Sequence, residues 1–248
     1  MITCLIRLDV SNEIGYGHLM RCLALGEVLR KSFDILYLVR KNDSVNEVFQ
    51  RGFRVREIAS DVDEESLLIS LTSEFPKAIW IIDIKKHFSK DFLPKLKRES
   101  KLLLLIENLS LDMKAADAIL FPAAHLDKKI LDPWLDKEER YRVLTGWDWI
   151  LLRDEVLNIK VITRDFPLVV TTGGSDPAGV FFKLWNLLKD QKIHAIFLVG
   201  KSFSFREYLP NDDEYLKVKN YDITYIARAC CVISTFGVSI TECLYLKK

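Results

Sequence analysis

Near the start of the chain, two glycines are followed by a histidine and an arginine three residues apart. These two polar side chains could bind a ligand or take part in a reaction. The glycines are Gly15 and Gly17, and the polar residues are His18 and Arg21. Residues three apart in a helix share one side, so His18 and Arg21 can both reach one bound group. Glycines let the backbone approach a ligand closely, and free N–H groups at a helix start attract an anion. The segment predicts an anion-binding loop, and an ordinary strand-to-helix turn is the alternative.

A second glycine pair repeats this arrangement later in the chain. Gly173 and Gly174 follow the apolar run 167–172 and precede the helical pattern 180–189. Ser175, next in the chain, can cap that helix or donate a hydrogen bond to an anion. The segment predicts a phosphate cradle, and a tight turn between strand and helix is again the alternative.

A third segment places a glycine, a serine and a glutamate at the start of another helical pattern. Gly237, Ser239 and Glu242 follow the apolar run 230–234. A carboxylate can accept hydrogen bonds from two neighbouring hydroxyls. On spacing alone, Glu242 is equally an acid in the first helical turn that the helix dipole favours.

Four short motifs together resemble the UDP-sugar hydrolases of pseudaminic acid synthesis and the related spore-coat polysaccharide proteins. In chain order they are Gly15–Arg21, Gly146–Glu155, Gly173–Pro177 and Gly237–Glu242. The resemblance implies an α/β fold of two Rossmann-like domains that face each other across a cleft, the glycosyltransferase-B arrangement. It places the first domain at residues 1–155 and a nucleotide-binding domain at residues 166–248. Because members of this family continue for further strand-helix units, the second domain is expected to be truncated.

The same resemblance implies roles for individual residues. His18 would be the general base that takes a proton from water as it attacks a UDP-linked diacetamido-trideoxyhexose. Gly237 and Ser239 would contact the pyrophosphate, and Glu242 would accept the ribose hydroxyls. Arg21 has a structural alternative as an ion-pair partner of Asp9 or Glu13. No metal or cofactor is implied, and the substrate- and nucleotide-binding residues would be Gly15, Gly17, Arg21, Asp83, Gly173, Gly174, Ser175, Gly237, Ser239 and Glu242.

The chain departs from the family pattern on the side that faces the sugar. Ile84 and Lys85 replace a histidine or serine and a tyrosine, and Glu107 and Asn108 replace two aspartates. The asparagines usual after the sixth strand are absent from residues 121–124. These changes leave open which sugar is bound and whether it is turned over. The alternatives are an inverting UDP-sugar glycosyltransferase and a nucleotide-sugar-binding protein without turnover.

Apolar runs alternate with helical periodicity along the chain, and this predicts parallel sheets with helices on both faces. Predicted strands are 5–8, 33–39, 53–58, 78–84, 101–106, 116–121, 141–145, 167–172, 193–199 and 230–234. Predicted helices are 19–29, 45–50, 64–75, 92–98, 180–189 and 221–229. The charged stretch 127–139 is expected to be exposed. Trp134, Trp147 and Trp149 are expected to pack against neighbours, and stacking of one of them on a base is the alternative.

Composition narrows the possible partners. Of 248 residues, 36 are basic and 35 acidic, so no strong net charge attracts nucleic acid or an anionic membrane. Five cysteines without metal-ligand spacing predict buried thiols in a reducing cytoplasm. No apolar run reaches the roughly 20 residues that span a bilayer. We expect a cytoplasmic protein, a monomer or weak dimer, whose partner is a UDP-sugar.

Overall fold

A computed structural model describes residues 1–10, 16–42, 45–160, 163–235 and 237–248. Strands alternate with helices, and the strands pair in parallel throughout both sheets of the described chain. The predicted α/β fold class is therefore confirmed. The described residues divide into two compact units, one of Met1–Val10 and Cys22–Leu151, the other of residues 16–21 and Leu152–Lys248. Residues 16–21 thus group with the second unit, although they lie within the predicted first domain, whose limits stay a prediction.

The first unit is built on one parallel sheet. Its strands are β1 (Thr3–Leu8), β2 (Asp34–Arg40), β3 (Arg54–Ile58), β4 (Ile79–Asp83), β5 (Leu102–Ile106), β6 (Ala118–Phe121) and β7 (Val143–Thr145). Its helices are α1 (Gly17–Leu29, which begins in the second unit), α2 (Val45–Gln50), α3 (Glu64–Glu74) and α4 (Phe92–Glu99). Short 3₁₀ helices cover Leu111–Ala115, Lys128–Leu131, Lys137–Arg142 and Trp147–Trp149.

The strand order in this sheet is β3-β2-β1-β4-β5-β6-β7 within the described residues. The order reverses between β1 and β4, and ligands of open parallel sheets bind outside the carboxyl ends of the strands at such a reversal. One core cluster lies on the face that carries Leu5 and Trp80, where α3 and α4 bury Leu68 and Leu93. The apolar run of β4 has both faces covered, as parallel strands require.

The second unit contains a smaller parallel sheet. Its elements are α5 (Asp154–Leu157), β8 (Phe166–Thr171), α6 (Val180–Asp190), β9 (Ala195–Val199), a 3₁₀ turn (Arg206–Tyr208), β10 (Leu216–Asn220), α7 (Ile223–Arg228), β11 (Ala229–Ser234) and α8 (Val238–Tyr245). The strand order over the described residues is β10-β9-β8-β11. Here the order reverses between β8 and β11, so the segments after these two strands flank the expected ligand position.

Both faces of the second sheet are packed. On one face, the rings of Phe181 and Trp185 of α6 lie 4.9 and 5.1 Å from the ring of Phe197 of β9, measured between centroids. On the other face, Ile226 and Cys243 pack with Val169. These contacts hold the carboxyl ends of β8 and β11, and the segments that follow them, in fixed positions.

Two expectations about cysteines and tryptophans are partly wrong. Cys4, Cys22 and Cys243 are buried as predicted, but Cys230 and Cys231 are exposed, because β11 forms an edge of its sheet in the described chain. Burial raises the pKa of the Cys4 thiol to about 12 and that of Cys243 to about 11. Trp134 packs against the core, whereas Trp147 and Trp149 are exposed on a short turn.

Most of the described side chains in the charged stretch 127–139 are exposed, as its composition predicts, but two leucines are not. Leu131 and Leu135 in this stretch are buried in the core of the first unit. Another apolar residue precedes each leucine, Ile130 before Leu131 and Trp134 before Leu135, and Leu131 ends a 3₁₀ turn. The neighbouring Asp132 and Asp136 stay exposed. Over the described residues, no helix combines the length and the apolar character that crossing a membrane requires.

Candidate functional site

The glycine pair after β8 forms a tight loop that touches the end of β9. Gly173 has φ +81°, which only glycine adopts without strain. Gly200 follows β9 directly, and a Cβ atom on it would lie 2.6 Å from Gly174 Cα and 2.8 Å from the carbonyl oxygen of Gly173. Gly200 is therefore required for this loop to close. Sequence reasoning assigned it no role in the site, although its place at a strand end is a usable signal.

Asp176 holds the start of α6, so this helix start is already occupied by a carboxylate. Its side chain is buried and accepts the backbone N–H groups of Val180 and Phe181 at 3.0 and 2.8 Å. Ser175, the predicted cap, accepts the backbone N–H of Ser204 through its carbonyl oxygen at 2.9 Å. A ligand here would therefore contact the residues of the glycine loop after β8 more than the first turn of α6.

The segment after β11 begins α8 with a glycine. Gly237 has φ +146°, and no side chain among the described residues caps α8. A Cβ on Gly173 would lie 3.8 Å from Thr235 Oγ1, so the loops after β8 and β11 lie side by side. Ser239 is in the first turn of α8 and half-buried. The first N–H groups of α8 therefore flank the position where the strand order of this sheet reverses.

The segment before α1 joins these two loops within the second unit. A Cβ on Gly174 would lie 3.2 Å from Tyr16 Cβ, and a Cβ on Gly17 would lie 3.9 Å from Val238 Cγ2. Three glycine-containing segments therefore meet in the second unit. Gly15 lies outside the described residues, so its place in this arrangement stays a prediction.

His18 and Arg21 contact each other at the start of α1. Arg21 Nη2 lies 3.2 Å from His18 Nδ1, and both side chains are buried. Of the alternatives for Arg21, Asp9 pairs with Arg7 at 2.6 Å, and Glu13 lies outside the described residues. Arg21 thus contacts the histidine for which the resemblance implies a catalytic role.

Glu242 lies inside the second unit with both carboxylate oxygens engaged. Oε1 accepts Arg153 Nε and Oε2 accepts the Tyr221 hydroxyl, each at 2.8 Å. Burial acts to lower the pKa of Arg153, but the charge of Glu242 and its hydrogen bond outweigh this and raise it. Burial, followed by the charge of Glu242, raises the pKa of Tyr221. Arg153 comes from the motif Gly146–Glu155, so the structure joins two of the four motifs at this ion pair.

Asp83, the remaining predicted residue, belongs to the first unit. It ends β4 at the reversal of strand order and is fully buried, and its Oδ2 accepts Cys22 Sγ at 3.3 Å. Ile84 beside it is buried, whereas Lys85 is exposed. The structure therefore assigns Asp83 to the first unit, beside Cys22 of α1.

A buried charge cluster at the carboxyl edge of the first sheet was missed by sequence reasoning. Arg7 is fully buried and donates from Nε to Glu64 Oε1 at 2.7 Å, and Arg40 binds the other carboxylate oxygen. Burial acts to raise the pKa of Glu64, but the hydrogen bond from Arg7 and the charges of Arg7, Arg40 and Lys86 lower it overall. An arginine inside an apolar strand is the only sequence signal, and its partner lies 57 residues away.

An open cavity of about 360 Å³ lies elsewhere in the second unit. Phe166, Ala195 and Tyr215 line it. Phe166 and Ala195 begin β8 and β9, and Tyr215 directly precedes β10. It is thus on the side of the sheet opposite to the glycine loops. In the part of the chain that the structure describes, no group of three or more His, Cys, Asp or Glu side chains is arranged to hold a metal ion.

No protein-family model matches the chain. The chain is 24% identical to the "Uncharacterized protein MJ1062" of Methanocaldococcus jannaschii over 260 aligned residues, which cover 96% of this chain and 52% of the relative. The chain thus spans about half the length of the curated relative that it matches.

Solved structures resemble the chain in fold over its whole length. A glycosyltransferase from Rickettsia africae covers 100% of this chain and is itself covered to 78%, with TM-score 0.65 and 11% identity. The Staphylococcus aureus MnaA–UDP structure has the same coverages and identity with TM-score 0.60. The Methanocaldococcus jannaschii UDP-GlcNAc 2-epimerase, solved with UDP-GlcNAc and UDP, covers 99% of this chain and is covered to 82%, with TM-score 0.56 and 9% identity. The chain has the parallel α/β fold that these glycosyltransferase-B-like enzymes share.

Proposed function

We propose that the chain binds a UDP-sugar and cleaves the bond between the sugar and UDP, with water as the acceptor. The observation that carries this proposal is the meeting of three glycine-containing segments, 16–17, 172–176 and 235 with 237–239, in the second unit. Backbone N–H groups at an uncapped helix start and in glycine turns suit a pyrophosphate, because they bring donors close to an anion. Two of the structural neighbours were solved with UDP, which supports the choice of nucleotide.

The chemistry follows from the charge that develops on UDP. The bond between the anomeric carbon and the pyrophosphate oxygen breaks, and its electron pair leaves with UDP. Water oxygen forms the new bond to the anomeric carbon and passes its proton to His18, the general base that the resemblance implies, so the products are the free sugar and UDP. Donors directed at the pyrophosphate stabilise the leaving group as its charge grows, and this effect is often the largest in such reactions.

The sugar that we propose is a diacetamido-trideoxyhexose, as the resemblance of the four motifs implies. Departures at Ile84, Lys85, Glu107 and Asn108 lie in the first unit. Because one structural neighbour was solved with UDP-GlcNAc, an N-acetylated sugar is a suitable first probe.

A second candidate is transfer of the sugar to a hydroxyl acceptor in place of water. The glycosyltransferase of Rickettsia africae, whose fold the chain matches with TM-score 0.65, favours this candidate. Both reactions need the same nucleotide site and differ only in the attacking oxygen.

Phosphorus NMR of the protein with UDP-GlcNAc and with a UDP-linked diacetamido-trideoxyhexose tests the proposal. Release of UDP without an acceptor supports hydrolysis, and release only with an added sugar acceptor favours transfer. Saturable UDP binding without turnover contradicts the catalytic part and leaves a nucleotide-sugar-binding protein. Absence of UDP binding contradicts the whole proposal.

A further inference from the structure

A group of three side chains, Arg153, Tyr221 and Glu242, lies at the carboxyl edge of the second sheet. Tyr221 directly follows β10, and its backbone N–H donates to the carbonyl oxygen of Val199, the last residue of β9, at 2.9 Å. Gly200 comes next after Val199 and touches the glycine loop after β8. Tyr221 therefore anchors the group at the same edge of the sheet as the loops that meet there.

Each member of this group contacts the other two. Arg153 and Tyr221 both donate to Glu242, and Arg153 Nη2 also donates to the Tyr221 hydroxyl at 3.3 Å. The guanidinium carbon lies 5.6 Å from the centroid of the Tyr221 ring. The side chains of Arg153 and Glu242 are only 12% and 2% exposed, and separating two buried charges leaves each of them uncompensated. The group therefore holds Glu242 in one position.

Glu242 passes this hold on to α8. It is the fifth residue of the helix and lies about 6 Å along the axis from the first residue, at 1.5 Å per residue. A helix of eight residues is not stable alone, so contacts with the rest of the unit fix its position. The Asp176 carboxylate holds the start of α6, whereas no described side chain caps the start of α8. The bond to Glu242 therefore helps to fix where the uncapped N–H groups of α8 lie.

We propose that Arg153 is a positioning residue of the nucleotide site, which together with Tyr221 holds Glu242 and thereby fixes the start of α8 where it receives the pyrophosphate. The identity of the ligand rests on the proposed function, whereas the hold on α8 rests on the contacts alone. Because Arg153 and Tyr221 act through α8, their loss weakens the binding of the phosphates and spares the binding of the base and the ribose.

Comparison of UDP with uridine separates this role from a general structural one, because uridine has no phosphates. Arg153→Met is expected to weaken UDP binding by at least about tenfold, the effect of one lost hydrogen bond to a charged group, and to leave uridine binding unchanged. Arg153→Lys keeps the charge and is expected to recover part of the loss. Calorimetry measures the affinity for UDP, and ligand-detected NMR measures the weaker affinity for uridine. Equal losses for both ligands, or unchanged UDP affinity, overturn the proposal.

Arg228→Met is the matched control in the same unit. Arg228 ends α7 and donates from Nε to Asp165 Oδ1 at 2.9 Å. Asp165 directly precedes β8, so this pair lies at the amino edge of the sheet, and both side chains are exposed. We expect unchanged affinities for UDP and uridine. A loss of UDP affinity as large as that in Arg153→Met would show that the effect does not depend on the position of Arg153, and it would overturn the proposal.

Amide hydrogen exchange tests the hold on α8 without a nucleotide. In Arg153→Met, the amides of α8 are expected to exchange faster by a larger factor than those of α6, because only α8 loses a contact that holds it. Tyr221→Phe keeps the ring and removes the hydroxyl, so we expect smaller changes in the same direction in exchange and in UDP affinity. This variant decides both tests if Arg153→Met does not fold. Equal factors in the two helices overturn the proposal. Absence of UDP binding by the parent contradicts the proposed function instead, and the exchange result still decides whether Arg153 holds α8.

Discussion

Arg153 Nε donates to Glu242 Oε1 over 2.8 Å, and this bond ties the residue before α5 to the first turns of α8. The two residues are 89 positions apart in the chain. Tyr221 donates its hydroxyl to the second carboxylate oxygen and completes the set of partners. Because α8 starts at the proposed pyrophosphate site, this ion pair positions a part of the site as well as the fold of the second unit.

Glu242→Ala is expected to lower the free energy of unfolding by about 3 kcal/mol, because it leaves the Arg153 charge buried without its main partner. Glu155→Ala is a matched control, since Glu155 meets the same arginine at 3.5 Å with its side chain 47% exposed. We expect this control to change stability by less than about 1 kcal/mol. Urea denaturation measures both. Equal small losses in the two variants would show that the buried pair contributes nothing beyond a surface contact.

Glu242→Gln is expected to weaken the binding of UDP and of 2′-deoxy-UDP by equal factors. Both carboxylate oxygens already accept hydrogen bonds and the side chain is 2% exposed, so Glu242 acts on the nucleotide through the position of α8. Calorimetry with both ligands measures this. The ribose contact that the resemblance implies predicts a different result, a loss of about 1 to 3 kcal/mol for UDP with little change for the deoxy ligand.

Gly200→Ala is expected to weaken UDP binding and to lower stability by about 1 to 3 kcal/mol, the usual cost of adding a group to a packed position. The new methyl group would lie 2.6 Å from Gly174 Cα and would push the glycine loop away from β9. Ser202→Ala is the control, since it removes only the hydroxyl that donates to the Gly174 carbonyl at 3.2 Å. UDP affinity unchanged in Gly200→Ala would show that this loop does not hold the nucleotide.

Glu64 should make stability depend on pH. Its pKa in the folded chain lies below the ordinary value of 4.5 because Arg7 bonds to it and Arg40 and Lys86 lie near it. As the pH falls, the Glu64 carboxylate is therefore protonated at a higher pH in the unfolded chain than in the folded chain. The stability that Glu64 contributes is present above pH 4.5 and is lost as the pH falls through the pKa of the folded chain. We expect Glu64→Gln to lose stability at neutral pH and to show a shallower fall in acid. A slope equal to that of the parent would contradict this assignment.

The sequence predicts most of the strands because their apolar runs are long and buried on both faces. Strand β10 was missed, since Leu216–Asn220 alternates lysines with apolar residues and lies at an edge of its sheet. The glycine segments could be predicted from the local sequence pattern, because the residues that form a turn at a strand end are adjacent in the chain. The partners of Glu242 and Glu64 could not be predicted, because those contacts join residues far apart in the chain and depend on the completed fold.

A titration of UDP into protein labelled with ¹⁵N-glycine tests most directly the claim that the nucleotide binds where the three segments meet. The chain has ten glycines, so each backbone N–H is resolved in a simple spectrum. We predict saturable shifts at Gly173, Gly174 and Gly237, with Gly26 and Gly52 of the first unit unchanged. Shifts confined to Gly26 and Gly52, or no shifts at any UDP concentration, would contradict the account.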